Sequence, residues 1–378
     1  MPESEGKAGM DYESLITEAS RQLNICNACR YCEGFCPVWD VIEYRKKFGR
    51  SDVEYIANLC HDCGQCFDVC PFTPPNKFSV NIPAVLSEVR TQTYKEYTVP
   101  GTASALFEKQ AVLPVIAFAT SFITLLIVYF LTGSSTRLFY AISGPGSFYD
   151  IIPNVILDAA GLLLAFFVAL GWIASGLKFI RSINGSGSIR PSDYLAAASD
   201  SFGERWFKGG GAGCNYPDRE ARGSYKKLAV HSLVLYGFLL DLLATVSAFV
   251  EQDFMHILPP YPLISVPVLS GLVGGIMIIV GVVLFLIYDK SGTGFRKKGM
   301  KKMDSAFLIT LSLTAFTGIL LFSMRGTNLM GLLLLIHLSV VAVLFVTAPY
   351  GKFVHLVYRY LSIAKYKQEK RVYEGRNM

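Results

Sequence analysis

Two short stretches constrain this chain more than anything else in it. Cys26, Cys29, Cys32 and Cys36 lead into Pro37, and Cys60, Cys63, Cys66 and Cys70 lead into Pro71. Each is a complete C-x-x-C-x-x-C-x-x-x-C-P run, the thiolate spacing that holds a [4Fe–4S] cluster. Three cysteines spaced by three let one loop wrap three corners of an iron–sulfur cube. The fourth, carried away from that loop by its proline, ligates the other cluster. The expected pairing is therefore crossed: Cys26, Cys29, Cys32 and Cys70 hold one cluster, and Cys60, Cys63, Cys66 and Cys36 the other. Structural zinc seldom uses eight cysteines in this arrangement. Disulfides belong to oxidising compartments, whereas this region is read below as facing the cytoplasm.

The chain has 378 residues, 52% of them hydrophobic, and the apolar excess lies almost wholly after residue 110. Two physical classes are thus joined: a polar, cysteine-rich domain over 1–101 and a membrane domain over 102–361, followed by a basic tail over 362–378. The expected fold class is all-α, a ferredoxin-like helical double-[4Fe–4S] domain followed by a six-helix transmembrane bundle. The net charge of +6 is spread over loops and tail. It reads as membrane topology and not as nucleic-acid binding. The N-terminus has no apolar stretch of the kind a signal peptide needs.

Residues 11–24 read as an amphipathic helix with Leu15, Ile16, Ala19 and Leu23 on one face, leading into the first cysteine loop. The segment 38–59 has mixed helical patterning around the basic group 45–50, read as a solvated face, with a partner-docking patch as the alternative. Residues 81–97 read as a second helix, and Pro100-Gly101 marks the domain boundary. The loop 181–227 is the least legible part. Its glycines at 185, 187, 209–211 and 213 suggest a flexible connection without a phosphate-binding motif, and Cys214 reads as a small buried hydrophobe.

Apolar spans at 111–132, 152–180, 228–250, 263–288, 305–324 and 329–350 each reach or approach the roughly 20 residues that cross a bilayer. Lys and Arg concentrate in 181–227, in 289–304 and after 350, while the alternate connections carry almost none. By the positive-inside rule both termini, and the cysteine domain with them, are cytoplasmic.

Four histidines, His231, His256, His337 and His355, lie in or beside the spans. An ionisable residue there is a functional candidate. Beside iron–sulfur clusters, bis-histidine ligation of b-type haem between helices is the natural chemistry. His231 begins the third span and His355 follows the sixth, so the two sit at similar depth and form the expected pair. His337 precedes His355 by 18 positions, about 27 Å along a helix and on the same face. It would hold a second haem with His256, which a straight helix carries about 10 Å too far. Asp158 and Asp241 also lie within spans, with proton handling and structural hydrogen bonding as alternatives. Arg325, at an outer turn, reads as an interfacial arginine or a partner for a haem propionate. His61, inside the second cysteine run, reads as a packing or hydrogen-bonding residue that tunes the cluster.

The segment from His337 to His355 resembles the last haem-binding helix of the respiratory nitrate reductase gamma subunit family. That family has two further ligands ten residues apart on an earlier helix; here those positions are His231 and Asp241, a departure that moves the outer ligand to His256. The whole chain is more similar to the tricarballylate-utilisation protein B family, also called citrate-utilisation protein B. The similarity covers both cysteine runs, residues 74–78, 213–217, 260–262, Gly274-Gly275 and 349–355. It implies a bacterial inner-membrane partner for a soluble FAD-dependent tricarballylate dehydrogenase, accepting electrons from the reduced flavin and passing them to quinone.

Read together, the chain is an electron-transfer subunit with two [4Fe–4S] clusters, one or two b haems and a quinone acceptor. It has no catalytic residue set of its own, and quinone reduction is the one enzymatic role left open. A heterodisulfide-reductase-like enzyme is one alternative, but the Cys-Cys-Gly motif of that family is missing. A haem-free membrane docking module is the other.

Overall fold

The computed structural model describes residues 11–132, 137–185, 187–206, 225–291 and 298–375, and every regular element among them is helical. Helix α1 (Tyr12–Cys29) starts where the Asp11 side chain accepts from the Ser14 N–H at 3.0 Å, satisfying an otherwise orphan donor. It buries Leu15, Ile16, Ala19 and Leu23, the face read from the sequence. It does not stop near residue 24, however. It runs through Cys26 and ends at Arg30, whose backbone turns left-handed (φ 58°) and donates to the Cys26 carbonyl at 2.8 Å. Cys26 and Cys29 therefore share a helix face and are not on a loop.

Helix α2 (Pro37–Glu43) begins on proline, which supplies a helical φ and lacks the N–H that a first turn cannot use. Helices α3 (Arg50–Leu59) and α4 (Gln65–Asp68) follow, then α5 (Ile82–Glu96), capped by the Asn81 side chain at 3.1 Å from the Ala84 N–H. Val41, Ile56, Leu86 and Val89 close the core between them.

A 3₁₀ turn over Gly101–Glu108 leads into the bundle. Its elements are α6 (Leu113–Thr132), α7 (Asn154–Ile183), α8 (Pro191–Phe202), α9 (Tyr225–Asp253), α10 (Val266–Ser291), α11 (Lys298–Ser323), α12 (Met330–Thr347) and α13 (His355–Glu374). Six of these, α6, α7 and α9 to α12, are long and apolar enough to cross a membrane. Their outward faces leave residues such as Leu131 and Leu163 79% and 68% exposed, a surface suited to lipid and not to water. Helices α9 and α10 approach closely at glycines: a Cβ on Gly274 would lie 2.7 Å from the Gly237 carbonyl oxygen. Small residues of this kind are how membrane helices gain packing without a hydrophobic drive.

The cysteine domain and the bundle share one hydrophobic core. Phe179 at the end of α7 lies 4.8 Å from Tyr358 of α13, ring centre to ring centre, and 5.3 Å from Tyr97. Pro100-Gly101 thus marks a passage of the chain and not a break in packing. At 30 residues, α7 is about 45 Å long, more than a bilayer core of roughly 30 Å needs, and the excess forms this joint.

The segment 362–378, read from sequence as a tail, belongs through Glu374 to helix α13, which buries Ser362, Ile363, Ala364, Lys365, Tyr366 and Gln368. Tyr366 donates to Asp40 at 2.6 Å, while Lys367 and Arg371 pair with Asp200 and Asp193 of α8 at 2.6 and 2.8 Å. Nor is the basic group 45–50 wholly a solvated face. Lys46 and Lys47 are exposed, but Arg45 is clamped by both Glu369 oxygens at 2.7 and 3.0 Å and by Asp52 at 2.6 Å. Glu369→Ala is expected to destabilise this joint by about 3 kcal/mol, because Arg45 loses its bidentate partner in a mostly buried setting. Limited proteolysis of the detergent-solubilised protein checks it: cleavage between α13 and the cysteine domain should accelerate.

Candidate functional site

The structure gathers the eight cysteines of the two runs into two cages. Cys26, Cys29, Cys32 and Cys70 line one; Cys60, Cys63, Cys66 and Cys36 line the other. Each cage is thus lined by three cysteines of one run and by the fourth cysteine of the other, with Cys66 on the wall between them. Cys36 precedes Pro37 in extended backbone (φ −164°), which turns it out of its own run. In the second run the chain bends at Asp62 and Gly64, both left-handed (φ 56° and 84°), a conformation glycine adopts without strain. Trp39, Ile82 and Cys66 line both cages, which therefore lie back to back. The first is nearer the surface, with Cys29 exposed and Tyr31 55% exposed.

The donor set fits iron–sulfur clusters. Among the described residues no two cysteines are joined by a disulfide. No three His, Cys, Asp or Glu side chains among them close around a single ion; a cube that takes one thiolate per corner asks for a wider cage. Burial pushes the Cys26 thiol up, with Cys70 and Cys32 adding to it, and burial with Cys63 and Cys60 pushes Cys36 well up. Thiolates crowded in this way need a cationic centre among them. The Asp62 and Phe72 N–H groups point at the Cys60 and Cys70 sulfurs at 3.4 Å, the kind of hydrogen bond that tunes cluster potentials.

Beyond the second cage lies a cavity with about 1010 Å³ of empty space, its open mouth included. Its apolar walls include Phe238 of α9, Phe285 of α10, Phe307 of α11 and Phe353. His231 from α9 and His355 from the start of α13 both line it. The His231 Nδ1 is hydrogen-bonded to the Glu204 carboxylate, and the His355 Nδ1 donates to the Lys352 carbonyl at 2.6 Å. An Nδ1 held by a carboxylate or a backbone carbonyl is the usual arrangement around histidines that ligate through Nε2. Burial, with Lys352 and Arg359 nearby, holds His355 well below its ordinary pKa and hence neutral, as a ligand must be. This donor set fits a bis-histidine haem.

His61 lines both the second cage and this cavity. It is half-buried, and desolvation with Arg359 and Arg90 alongside holds it well below its ordinary pKa. Asp62, Arg90, Asp304, Lys352 and Arg359 also line the cavity. Burial and the neighbouring Arg90 push Arg359 down to about 10.

The other two histidines are placed apart. His337 is bonded to Thr317 at 2.9 Å and packs on Gly318, whose Cβ would lie 3.1 Å from the ring. His256 is an exposed residue in the turn after α9, at φ 57°. No cavity described for the structure is lined by both. Asp241 faces Gly274 of α10, and Asp158 accepts weakly from Gln252 at 3.3 Å. Arg325 donates to the Tyr261 carbonyl at 2.9 Å. Cys214 and the glycine run 209–213 lie outside the described residues.

The sequence reading missed Glu204, Arg90 and Arg359. Arg359 follows His355 by four positions on α13, a spacing that puts the two on one helix face and was available as a signal. Nothing local marks Glu204, which lies just past α8 and 27 positions before His231.

The sequence profile of the Citrate utilization protein B family matches residues 108–375, and that of its Fer4-like domain matches residues 19–96. The chain is 39% identical over 358 residues to Citrate utilization protein B of Escherichia coli, covering 94% of this chain and 92% of that protein. No solved structure matches it.

Proposed function

Because the chain belongs to the Citrate utilization protein B family, we propose that it is the membrane electron-transfer partner of an FAD-dependent dehydrogenase. Its Fer4-like domain and six apolar helices give it an iron–sulfur electron-transfer role at a membrane. The finer reading is that it reoxidises a soluble tricarballylate dehydrogenase and delivers the electrons to the quinone pool of a bacterial inner membrane, with both termini cytoplasmic. In this reading Cys26, Cys29, Cys32 and Cys70 hold one [4Fe–4S] cluster, and Cys60, Cys63, Cys66 and Cys36 the other. His231 and His355 hold one b haem. The bound clusters and haem supply one-electron redox capacity that side chains lack.

One observation carries the reading: His61, next to the cage ligand Cys60, lines the second cage and the histidine cavity alike. One half-buried residue thus lies between the two sites, which the shared core holds together. The first cage, with Cys29 at the surface, the second cage and the cavity form an ordered series. The side chains hold each site; Glu204 and the Lys352 carbonyl orient the two imidazoles through their Nδ1 atoms.

An anaerobic visible spectrum of the purified protein, with iron and haem quantified, tests this before and after addition of reduced tricarballylate dehydrogenase. Reduced b-haem bands and about eight non-haem irons are expected, appearing on addition of the flavoprotein. Clusters without haem would defeat the relay and leave a docking module.

A further inference from the structure

The cation inventory of the histidine cavity does not balance. Three cationic side chains line it, Arg90, Lys352 and Arg359, against two carboxylates, Asp62 and Asp304. Lys352 pairs with Asp304 at 2.6 Å and Arg90 with Asp62 at 3.8 Å. Arg90 also donates to the Ala57 and Cys60 carbonyls at 2.8 Å. Arg359 has no carboxylate within ion-pair distance among the described residues. Its Nη2 donates to the Cys60 carbonyl at 3.0 Å, and its Nε is buried with no hydrogen-bond partner. A guanidinium whose Nε is buried without a partner is costly, and a fixed fork of donors suits a carboxylate.

Resting on the haem reading above, we infer that Arg359 is the seat of a haem propionate, so that the haem lies with its carboxylate edge toward the second cage. The placement supports this. Arg359 stands one turn beyond His355 on the same face of α13, so one helix offers an axial ligand and an anion partner to the same ligand molecule. The Cys60 carbonyl that Arg359 already grips belongs to a ligand of the second cage, which makes the guanidinium a bridge between the two sites. A phospholipid headgroup is the other source of an oxyanion at an open cavity, and the test separates the two.

The experiment titrates the full-length protein, purified in detergent from haem-deficient cells, with haem b and with haem b dimethyl ester, whose propionates are neutral. Binding is read from the Soret band, and iron and sulfide contents confirm intact clusters. The wild-type protein is expected to favour the free acid by about tenfold or more, the weight of a charge-assisted hydrogen bond. Arg359→Gln should lose most of that preference, by weakening haem b and sparing the ester, and Arg359→Lys should keep part of it. Equal wild-type affinity for the two forms, as a lipid-occupied arginine would give, overturns the inference, as does full preference in Arg359→Gln. The wild-type comparison stands even if a variant fails to fold. Failure of the wild-type protein to take up either form would instead defeat the haem reading itself.

Discussion

A His355→Ala variant is expected to lose its haem absorbance completely while keeping about eight non-haem irons, and His231→Ala is expected to do the same. The two residues come from different elements, and each supplies one imidazole to a single cavity. In the proposed reading, removing either leaves one of the two imidazoles that would hold the haem. Neither histidine touches the cysteine cages, so cluster content should hold. Glu204→Gln should behave differently. It keeps a hydrogen bond to the His231 Nδ1 but removes the carboxylate that raises ring basicity, so haem is retained with affinity about 10- to 100-fold lower. The comparison separates a ligand from the group that orients it. A haem spectrum unchanged in both His231→Ala and His355→Ala would move the haem elsewhere, and His337 would be the next residue to change.

The parts that were legible in the sequence are those whose chemistry forces a local pattern. Eight thiolates must be spaced to wrap two cubes, so the runs at 26–36 and 60–70 announce the Fer4-like domain. A helix that crosses lipid must satisfy its backbone internally and be apolar for about 20 residues, so the six spans announce themselves. His231 and His355 could be matched by depth alone, since helix rise turns sequence position into height. What escaped was set by contacts between distant positions. Arg45 reads as one of a basic cluster because its partner, Glu369, lies 324 positions away. The C-terminal segment reads as a charged tail because its basic residues meet Asp193 and Asp200 of a helix in the least legible loop. Helix α1 was cut short for another reason. Its last turn carries cysteines, which suggest a loop by chemistry, whereas the left-handed Arg30 that ends it has no marked preference for that role.

Replacing the fourth cysteine of each run offers the sharpest test of the crossed cages. In Cys36→Ala the cluster of the second run is expected to be lost and that of the first kept, even though Cys36 belongs to the first run in sequence. Cys70→Ala should do the reverse. In each case iron falls from about eight to about four per chain, and the reduced protein should show the paramagnetic resonance of one cluster in place of two interacting ones. Pairing within each run predicts the opposite: Cys36→Ala would then match Cys26→Ala, and Cys70→Ala would match Cys60→Ala. The kinetic consequences differ as well, because the cages are not equivalent in position. The second cage shares His61 with the histidine cavity, and the first lies behind it at the surface. Loss of the second-cage cluster in Cys36→Ala therefore opens a gap in the middle of the series. Reduction of the haem by the flavoprotein should nearly stop, while the first-cage cluster is still reduced at its normal rate. Cys70→Ala should instead impair reduction by the flavoprotein and leave the haem accessible to a small reductant acting at the second cage. Stopped-flow spectra of both variants, followed at cluster and haem wavelengths, distinguish a chain broken at its middle from one broken at its end.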